Sequence, residues 1–298
     1  RAAACLAARS KARCDYGIHL GAGSDNIESA ASLAPQVAGL KMYLDQTFGP
    51  LRLDDLDSLI QHMEHWPASR DRPILCHAEG RTVAACIMAG HLTGKHVHIC
   101  HVSRKDEIDL IRRAKDKGIN VTCEVTPHHF FLSEDDAPKI GPGRSEVRPR
   151  LAKGTDRSAL RASLEAIDCF ATDHAPHTLA EKDSPQPPPG FPGLETALPL
   201  YLELVREGLI TIEGLIDRAV NNPQRIFDLP VQPETWVEVD EDADWIVRGA
   251  ETFTRCQWTP FEGRTLRGRV MRVVLRGTEV YRNGEVLAAP GFGRDVRM

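Results

Sequence analysis

The chain has 298 residues, 42% apolar and 27% charged, and its 37 basic and 42 acidic side chains leave a formal charge of -5. The two signs are intermingled without a basic stripe, and no apolar run approaches the ~18 residues of a membrane helix, so neither nucleic acid nor a membrane is an expected partner. The length suits one large α/β domain with an appendage, acting on a small molecule.

Arg1 to Arg13 is basic, acid-free and rich in alanine. A transit peptide has that composition, but the stretch leads straight into a strand-like run at 14–21, so it reads as a barrel helix entered midway and the chain as a fragment. Further apolar runs at 38–44, 73–77, 97–101, 119–125 and 167–173 are expected strands, and amphipathic stretches separate them. After His101, Ser103 is expected to cap a helix whose apolar stripe is Ile108, Ile111 and Ala114 and whose stop is Gly118. Such alternation makes a parallel sheet of βαβ units, but six strands are fewer than a closed (β/α)8 barrel requires.

Five prolines between Pro185 and Pro192 mark a loop, followed by expected helices at 194–208 and 211–219. Beyond Leu229 the pattern changes to short alternating strands, including 237–239, 268–277 and a hairpin turning at Asn283-Gly284. The expected fold is therefore α/β: an incomplete (β/α)8 TIM-type barrel lacking its first strands over residues 1–228, with a small C-terminal β appendage over 229–298. The eight cysteines contain no C-x-x-C pair, and several lie inside apolar runs, as reduced cytoplasmic thiols would.

Four of the runs end on residues with metal or proton chemistry: Lys41, His77, His101 and Asp173. Side chains at the carboxyl ends of barrel strands converge on one mouth, and two imidazoles with a carboxylate suit a hydrolytic metal. Lys41 is the odd member, since lysine is ordinarily a solvated cation; carbon dioxide can convert its neutral amine to a carbamate whose two oxygens can bridge metals. Asp173 opens the compact run Asp173-His174-Ala175-Pro176-His177, where a carboxylate could shuttle a proton and His177 hold substrate. Three other histidine groups compete less well. His96-Val97-His98 mimics a paired-histidine motif, but His96 would lie at a strand start, far from the mouth of the site. His62 and His65 share a helical face expected to be wet. Of the adjacent His128 and His129 at most one should face the site.

Taken in order, Gly39-Leu40-Lys41-Met42-Tyr43, Pro73-Ile74-Leu75-Cys76-His77-Ala78-Glu79, His98-Ile99-Cys100-His101-Val102 and Asp173-His174-Ala175-Pro176-His177 resemble the amidohydrolase superfamily. The pattern is most similar to dihydroorotase, and in particular to the dihydroorotase domain of the animal-type multifunctional polypeptide that also carries carbamoyl-phosphate synthetase and aspartate carbamoyltransferase. Pro187 to Thr196 and Pro290 to Arg297 resemble that domain too. The resemblance implies a zinc enzyme that interconverts N-carbamoyl-L-aspartate and L-dihydroorotate in pyrimidine synthesis, cytoplasmic and homo-oligomeric. It implies a carboxylated Lys41 bridging two zincs, His77 and His101 as ligands, Asp173 as ligand and catalytic proton carrier, and Cys100 and Glu124 at a possible third zinc. Arg148, His177, Pro189 and Gly190 match substrate contacts, and Thr47 and Phe48 match a mobile loop that closes over the substrate.

Departures gather at one end: the family's first-strand His-x-His, the carboxylate-binding Arg after it and a substrate-contacting Asn are all missing. Arg150 stands where an acidic residue is more usual. The fragment itself is therefore expected to be inactive. Two other functions compete, a hydantoinase-type amidohydrolase acting on an uncharged ring and a non-catalytic dihydroorotase-like assembly domain.

Overall fold

The structure, a computed structural model, describes residues 2–67 and 72–297, which leaves out Arg1 of the expected N-terminal helix. A first helix, α1 (Ala2–Lys11), precedes a sheet of six parallel strands in chain order. These are β1 (His19–Gly21), β2 (Gly39–Tyr43), β3 (Ile74–His77), β4 (Val97–Ile99), β5 (Val121–Val125) and β6 (Cys169–Phe170). Parallel neighbours need crossovers, and α2 (Ile27–Leu33), α3 (Leu56–His65), α4 (Arg81–Thr93) and α5 (Lys105–Asp116) supply the first four in turn. Three short helices, α6 (Pro127–Phe131), α7 (Ala137–Ile140) and α8 (Gly154–Arg161), fill the last. With helices outside and side chains packed within, β3 and β4 are buried at every position, which is why they read as unbroken apolar runs. β1 and β6 each have one sheet neighbour among the described residues, so the sheet is open rather than closed.

Several boundaries differ from the sequence expectation. The run 14–21 pairs in the sheet only over β1, because Tyr16 instead forms an isolated parallel bridge with Asp295. The run 167–173 shrinks to β6, its remainder being drawn into a loop. Ser103 does not cap α5. Arg104 is the cap residue, and the buried carboxylate of Glu107 accepts the backbone N–H groups of Ser103 and Arg104, each at 3.1 Å. The expected stripe Ile108, Ile111 and Ala114 is buried. His62, expected on a wet face, is buried with its Nε2 2.9 Å from the Gly23 carbonyl, whereas His65 is exposed.

After a one-turn helix, α9 (Leu179–Lys182), the longer α10 (Leu194–Arg206) packs on a second, antiparallel sheet. Its strands are β7 (Trp236–Ile246), β8 (Thr265–Leu275), β9 (Thr278–Arg282) and β10 (Glu285–Val286), reached through α11 (Ile212–Ile216) and α12 (Asn222–Ile226). Asn283 and Gly284 take φ of 46° and 90°, the left-handed pair that the β9–β10 hairpin turn requires. One apolar core runs through both sheets: Leu200 and Leu204 of α10 join Val247, Trp258, Phe261 and Leu266 with the residues under β1 to β6. No helix of the described residues is long and apolar enough to cross a membrane.

The two ends of the chain are fastened together. Gly291 and Gly293 both donate their N–H to the Ala12 carbonyl at 3.0 Å, and the Asp15 carboxylate accepts from Arg294 N–H at 2.9 Å and Gln232 Nε2 at 2.7 Å while pairing with Arg276. Burial pushes the Asp15 carboxyl up, but Arg276 and these donors outweigh it and hold it below its ordinary value. A depressed carboxylate stabilises the fold above its unfolded pKa of about 4, and that contribution fades as pH falls through its lower folded value. Asp15→Ala should cost about 2 kcal/mol at neutral pH and correspondingly less in acid, as urea melts at the two pH values would report.

Candidate active site

Lys41 lies in the middle of β2, not at its end, because Met42 and Tyr43 continue the pairing with β3. Its ammonium is 2.9 Å from the Cys100 sulfur and 5.3 Å from the centre of the Tyr43 ring. Burial works against the Lys41 cation, while Cys100, the Glu124 carboxylate and Tyr43 work for it and leave it above its ordinary value. Burial also holds the Cys100 thiol up. His77 closes β3 as expected. His101 stands beyond β4 at φ 37°, and Asp173 stands beyond β6 at φ 45°, so two expected ligands occupy the left-handed region that residues with a side chain rarely adopt. Backbone held there is a pointer to function when the surroundings enforce it.

The enforcing contacts are visible. Glu107 accepts the Gly80 N–H at 2.7 Å as well as those of Ser103 and Arg104, tying the turn after His77 to the turn after His101. Asp45, just beyond β2, accepts the Glu79 N–H at 2.7 Å and pairs with the Thr82 hydroxyl, which steadies the same turn from the other side. The Tyr201 hydroxyl on α10 reaches the carbonyls of Val125 and Ala171 at 3.2 and 2.9 Å, and Ala175 N–H donates to the Phe191 carbonyl at 2.9 Å. The segment carrying Asp173 is thus pinned at both ends.

The two imidazoles meet directly, His77 Nδ1 lying 2.8 Å from His101 Nε2. Their other nitrogens, His77 Nε2 and His101 Nδ1, are buried without a hydrogen-bond partner. Burial, then the Lys41 charge, pushes His77 down to about 4; burial, then His77 and Lys41, pushes His101 well below its ordinary value. Both are neutral, the form that binds metal. Asp173 moves the opposite way. Burial raises its carboxyl to about 6, with Glu124 adding to the rise and Lys41 opposing it.

Glu124 completes the charged cluster: burial works against its carboxylate, but His98, at 3.1 Å, together with Lys41 and His19, holds it below the ordinary range. His19, Lys41, Cys100, Glu124 and Phe227 line a cavity of about 460 Å³. His19 was not singled out in the sequence, and His98 was set aside with His96 as a mimic of a paired-histidine motif; the even spacing of His98 and Cys100 on one strand was the available signal. His96 sits just before β4 with its Nε2 2.8 Å from the Thr122 hydroxyl. His128 and His129 are both buried, with rings 4.4 Å apart, and both bear on His101.

The expected substrate contacts lie on neighbouring loops. Arg148 pairs with Glu146 at 2.8 Å and lowers His77, whereas Arg150 is exposed and meets Glu146 at 3.3 Å. Phe48, largely exposed, packs edge-on against the His177 ring at 5.6 Å, which brings the Thr47-Phe48 loop onto the Asp173–His177 run. Gly190 takes φ 144°, and a Cβ there would come within 2.5 Å of the Ala175 carbonyl oxygen, so Pro189 and Gly190 also border that run.

The buried, neutral imidazoles of His77 and His101, which face each other at 2.8 Å, fit metal ligands. They fit only part of a site, since among the described residues no three His, Cys, Asp or Glu side chains converge on one metal position. A parallel sheet with a lysine within β2, paired imidazoles at and beyond the ends of β3 and β4 and a buried carboxylate beyond β6 matches the arrangement of the amidohydrolase barrels. Solved structures agree on the fold: L-hydantoinase (dihydropyrimidinase) from Arthrobacter aurescens superposes with a TM-score of 0.89 at 23% identity, over 97% of this chain and 74% of that one.

Within that class the chain is a homologue of the dihydroorotases, matching the dihydroorotase region of multifunctional proteins. It is 52% identical over 290 residues to the multifunctional protein CAD of Squalus acanthias, covering 97% of this chain but 13% of that protein. It is 40% identical over 196 residues to the dihydroorotase of Wolbachia from Brugia malayi, covering 62% of this chain and 44% of that enzyme. The inactive dihydroorotase-like domain of the Chaetomium thermophilum CAD-like multifunctional protein is 29% identical with a TM-score of 0.78, over 95% of this chain and 78% of that one. No family model matches the chain.

Proposed function

We propose that this chain supplies the larger part of a zinc-dependent dihydroorotase centre, interconverting N-carbamoyl-L-aspartate and L-dihydroorotate within a multifunctional pyrimidine-synthesis protein of the cytoplasm, and that it does not turn over alone. The direct contact of the two buried, neutral imidazoles of His77 and His101, together with the raised Asp173 carboxyl beyond β6, carries this reading. His77, His101 and Asp173 would hold zinc, and a carboxylated Lys41, Cys100 and Glu124 would supply further ligands. When bound, zinc polarises the scissile carbonyl and makes a nucleophile available at neutral pH.

The chain's own residues do the rest. Asp173 takes the proton of the attacking water and hands it to the ring nitrogen as the C–N bond breaks; cyclisation runs the same transfer backwards. Arg148 offers its guanidinium to the substrate carboxylate, with Glu146 holding the side chain in place beforehand. His177, Pro189 and Gly190 border the ring. Closure of Thr47 and Phe48 over them removes water and strengthens the charge interactions inside.

A specific observation also favours the non-catalytic reading: three metal donors do not converge among the described residues. Grafting this sequence in place of the corresponding segment of the 52% identical multifunctional protein separates the possibilities. The expected result is zinc-dependent turnover of dihydroorotate by the graft and none by the isolated chain. A faster rate on hydantoin would favour a hydantoinase, and a folded, zinc-loaded graft without turnover would favour the assembly domain.

A further inference from the structure

Lys182, the last residue of α9, is completely buried yet has no carboxylate partner among the described residues. Its three N–H donors meet three backbone carbonyls instead, those of Glu146 at 2.7 Å, Pro188 at 2.9 Å and Gly190 at 3.2 Å. The rings of Phe191 and Trp258 flank the ammonium, with centres 5.8 and 5.7 Å away. Burial, the largest influence, pushes the amine down to about 8, so it still holds its proton at neutral pH.

A buried cation is a costly way to fill space, and a well-packed apolar side chain would serve packing at least as well. What the ammonium adds is direction: three bonds from one atom fix the distance between two stretches of chain that have no regular structure of their own. Those stretches matter. Glu146 is two residues from Arg148, its carbonyl also receives the Gly190 N–H at 3.0 Å, and Pro188 and Gly190 enclose Pro189. Behind Lys182 the backbone is equally constrained, since a Cβ on Gly143 would come within 2.0 Å of the Lys182 carbonyl oxygen.

We propose that Lys182 is a positioning residue for substrate binding: its ammonium staples the segment leading to Arg148 onto the Pro188–Gly190 segment, presenting both to the substrate at a set separation. The inference rests on the reading of Arg148, Pro189 and Gly190 as substrate contacts, and its test has one arm that needs no substrate. In the chain itself, Lys182→Met should speed amide exchange of peptides spanning 186–192 by about tenfold or more while leaving the α10 peptide unchanged. In the graft, the same substitution should raise KM for dihydroorotate by about tenfold with kcat within about threefold, and Lys182→Arg should recover part of the loss.

Unchanged exchange at 186–192 in Lys182→Met overturns the staple, as does a fall in kcat with no change in KM. If the staple effect appears but the wild-type graft shows no turnover of dihydroorotate, the substrate reading fails and the staple stands. Should Lys182→Met not fold, Gly190→Ala displaces the same segment from the Ala175 side and must raise KM likewise. An unchanged KM in that variant overturns the proposal.

Discussion

Acidifying the metal-free chain from pH 7 to pH 5 is expected to unfold it. His77, His101, His128 and His129 are between 2% and 3% exposed. Burial pushes His77 down to about 4 and His129 to about 3, and pushes His101 and His128 well below their ordinary values. A histidine lowered by folding takes its proton first in the unfolded state, so each one costs stability as pH drops below its unfolded value near 6.5. The loss is at most about 1.4 kcal/mol per pH unit per group, and it continues until the folded pKa is reached.

Four such groups give a slope of roughly 5 kcal/mol per pH unit. The buried carboxylic acids pull the other way: Asp173, raised to about 6, and Glu79 and Glu107, also raised by burial, gain protons in the folded state first. Four histidines outweigh three acids, Asp173 among them at about 6, and the net loss by pH 5 is about 5 kcal/mol. That is comparable to the whole stability of many domains. Tryptophan fluorescence and circular dichroism followed through a pH titration test this; a urea midpoint that stays constant between pH 7 and pH 5 would show that the imidazoles are not buried neutral.

Asp173→Asn should cut turnover in the graft by about a thousandfold with little effect on folding. Asparagine keeps the volume and can occupy the same strained position at φ 45°, because it tolerates the left-handed region better than most residues. It cannot carry the proton. General acid–base transfer is worth about 10²–10⁴ in rate, so a fall of about a thousandfold in kcat with a modest change in KM is expected. The sign of the pH dependence adds a second check. Hydrolysis needs Asp173 unprotonated and gains rate as pH rises through its pKa, whereas cyclisation needs it protonated and loses rate over the same range. Rates within about tenfold of the unsubstituted graft in both directions would remove Asp173 from the proton path.

The order of the strands was legible in the sequence because buried parallel strands must be apolar on both faces, and runs such as Ile74-Leu75-Cys76-His77 have no other use for that pattern. Their ends were less legible. The run at 167–173 looks uniform, but the contacts of Tyr201 with the Ala171 carbonyl and of Ala175 with Phe191 come from residues remote in sequence and bend the chain out of the sheet. Lys41 seemed terminal because a charge normally ends a buried strand; here Cys100, 59 residues away, and Glu124 receive it inside.

Glu107 and Lys182 escaped notice, and His62 was expected on a wet face, for a shared reason. Each is a polar side chain buried against backbone N–H or C=O groups, and since every residue carries those groups, no partner stands out in the sequence. His77 and His101 were visible as ligand types. Their direct contact was not, because strand pairing and the turns anchored by Glu107 create it.

The bonds that Gly291 and Gly293 make to Ala12, and the bridge between Tyr16 and Asp295, give the chain a single doorway. Residues as far apart in sequence as Asp15 and Arg294, 279 positions, are neighbours there. Inserted into a longer protein, the unit would hang from its host like a loop closed by a clasp, and strain on one attached end would pass through Asp15 and Arg294 to the other end before reaching the strands that carry Lys41 and His77.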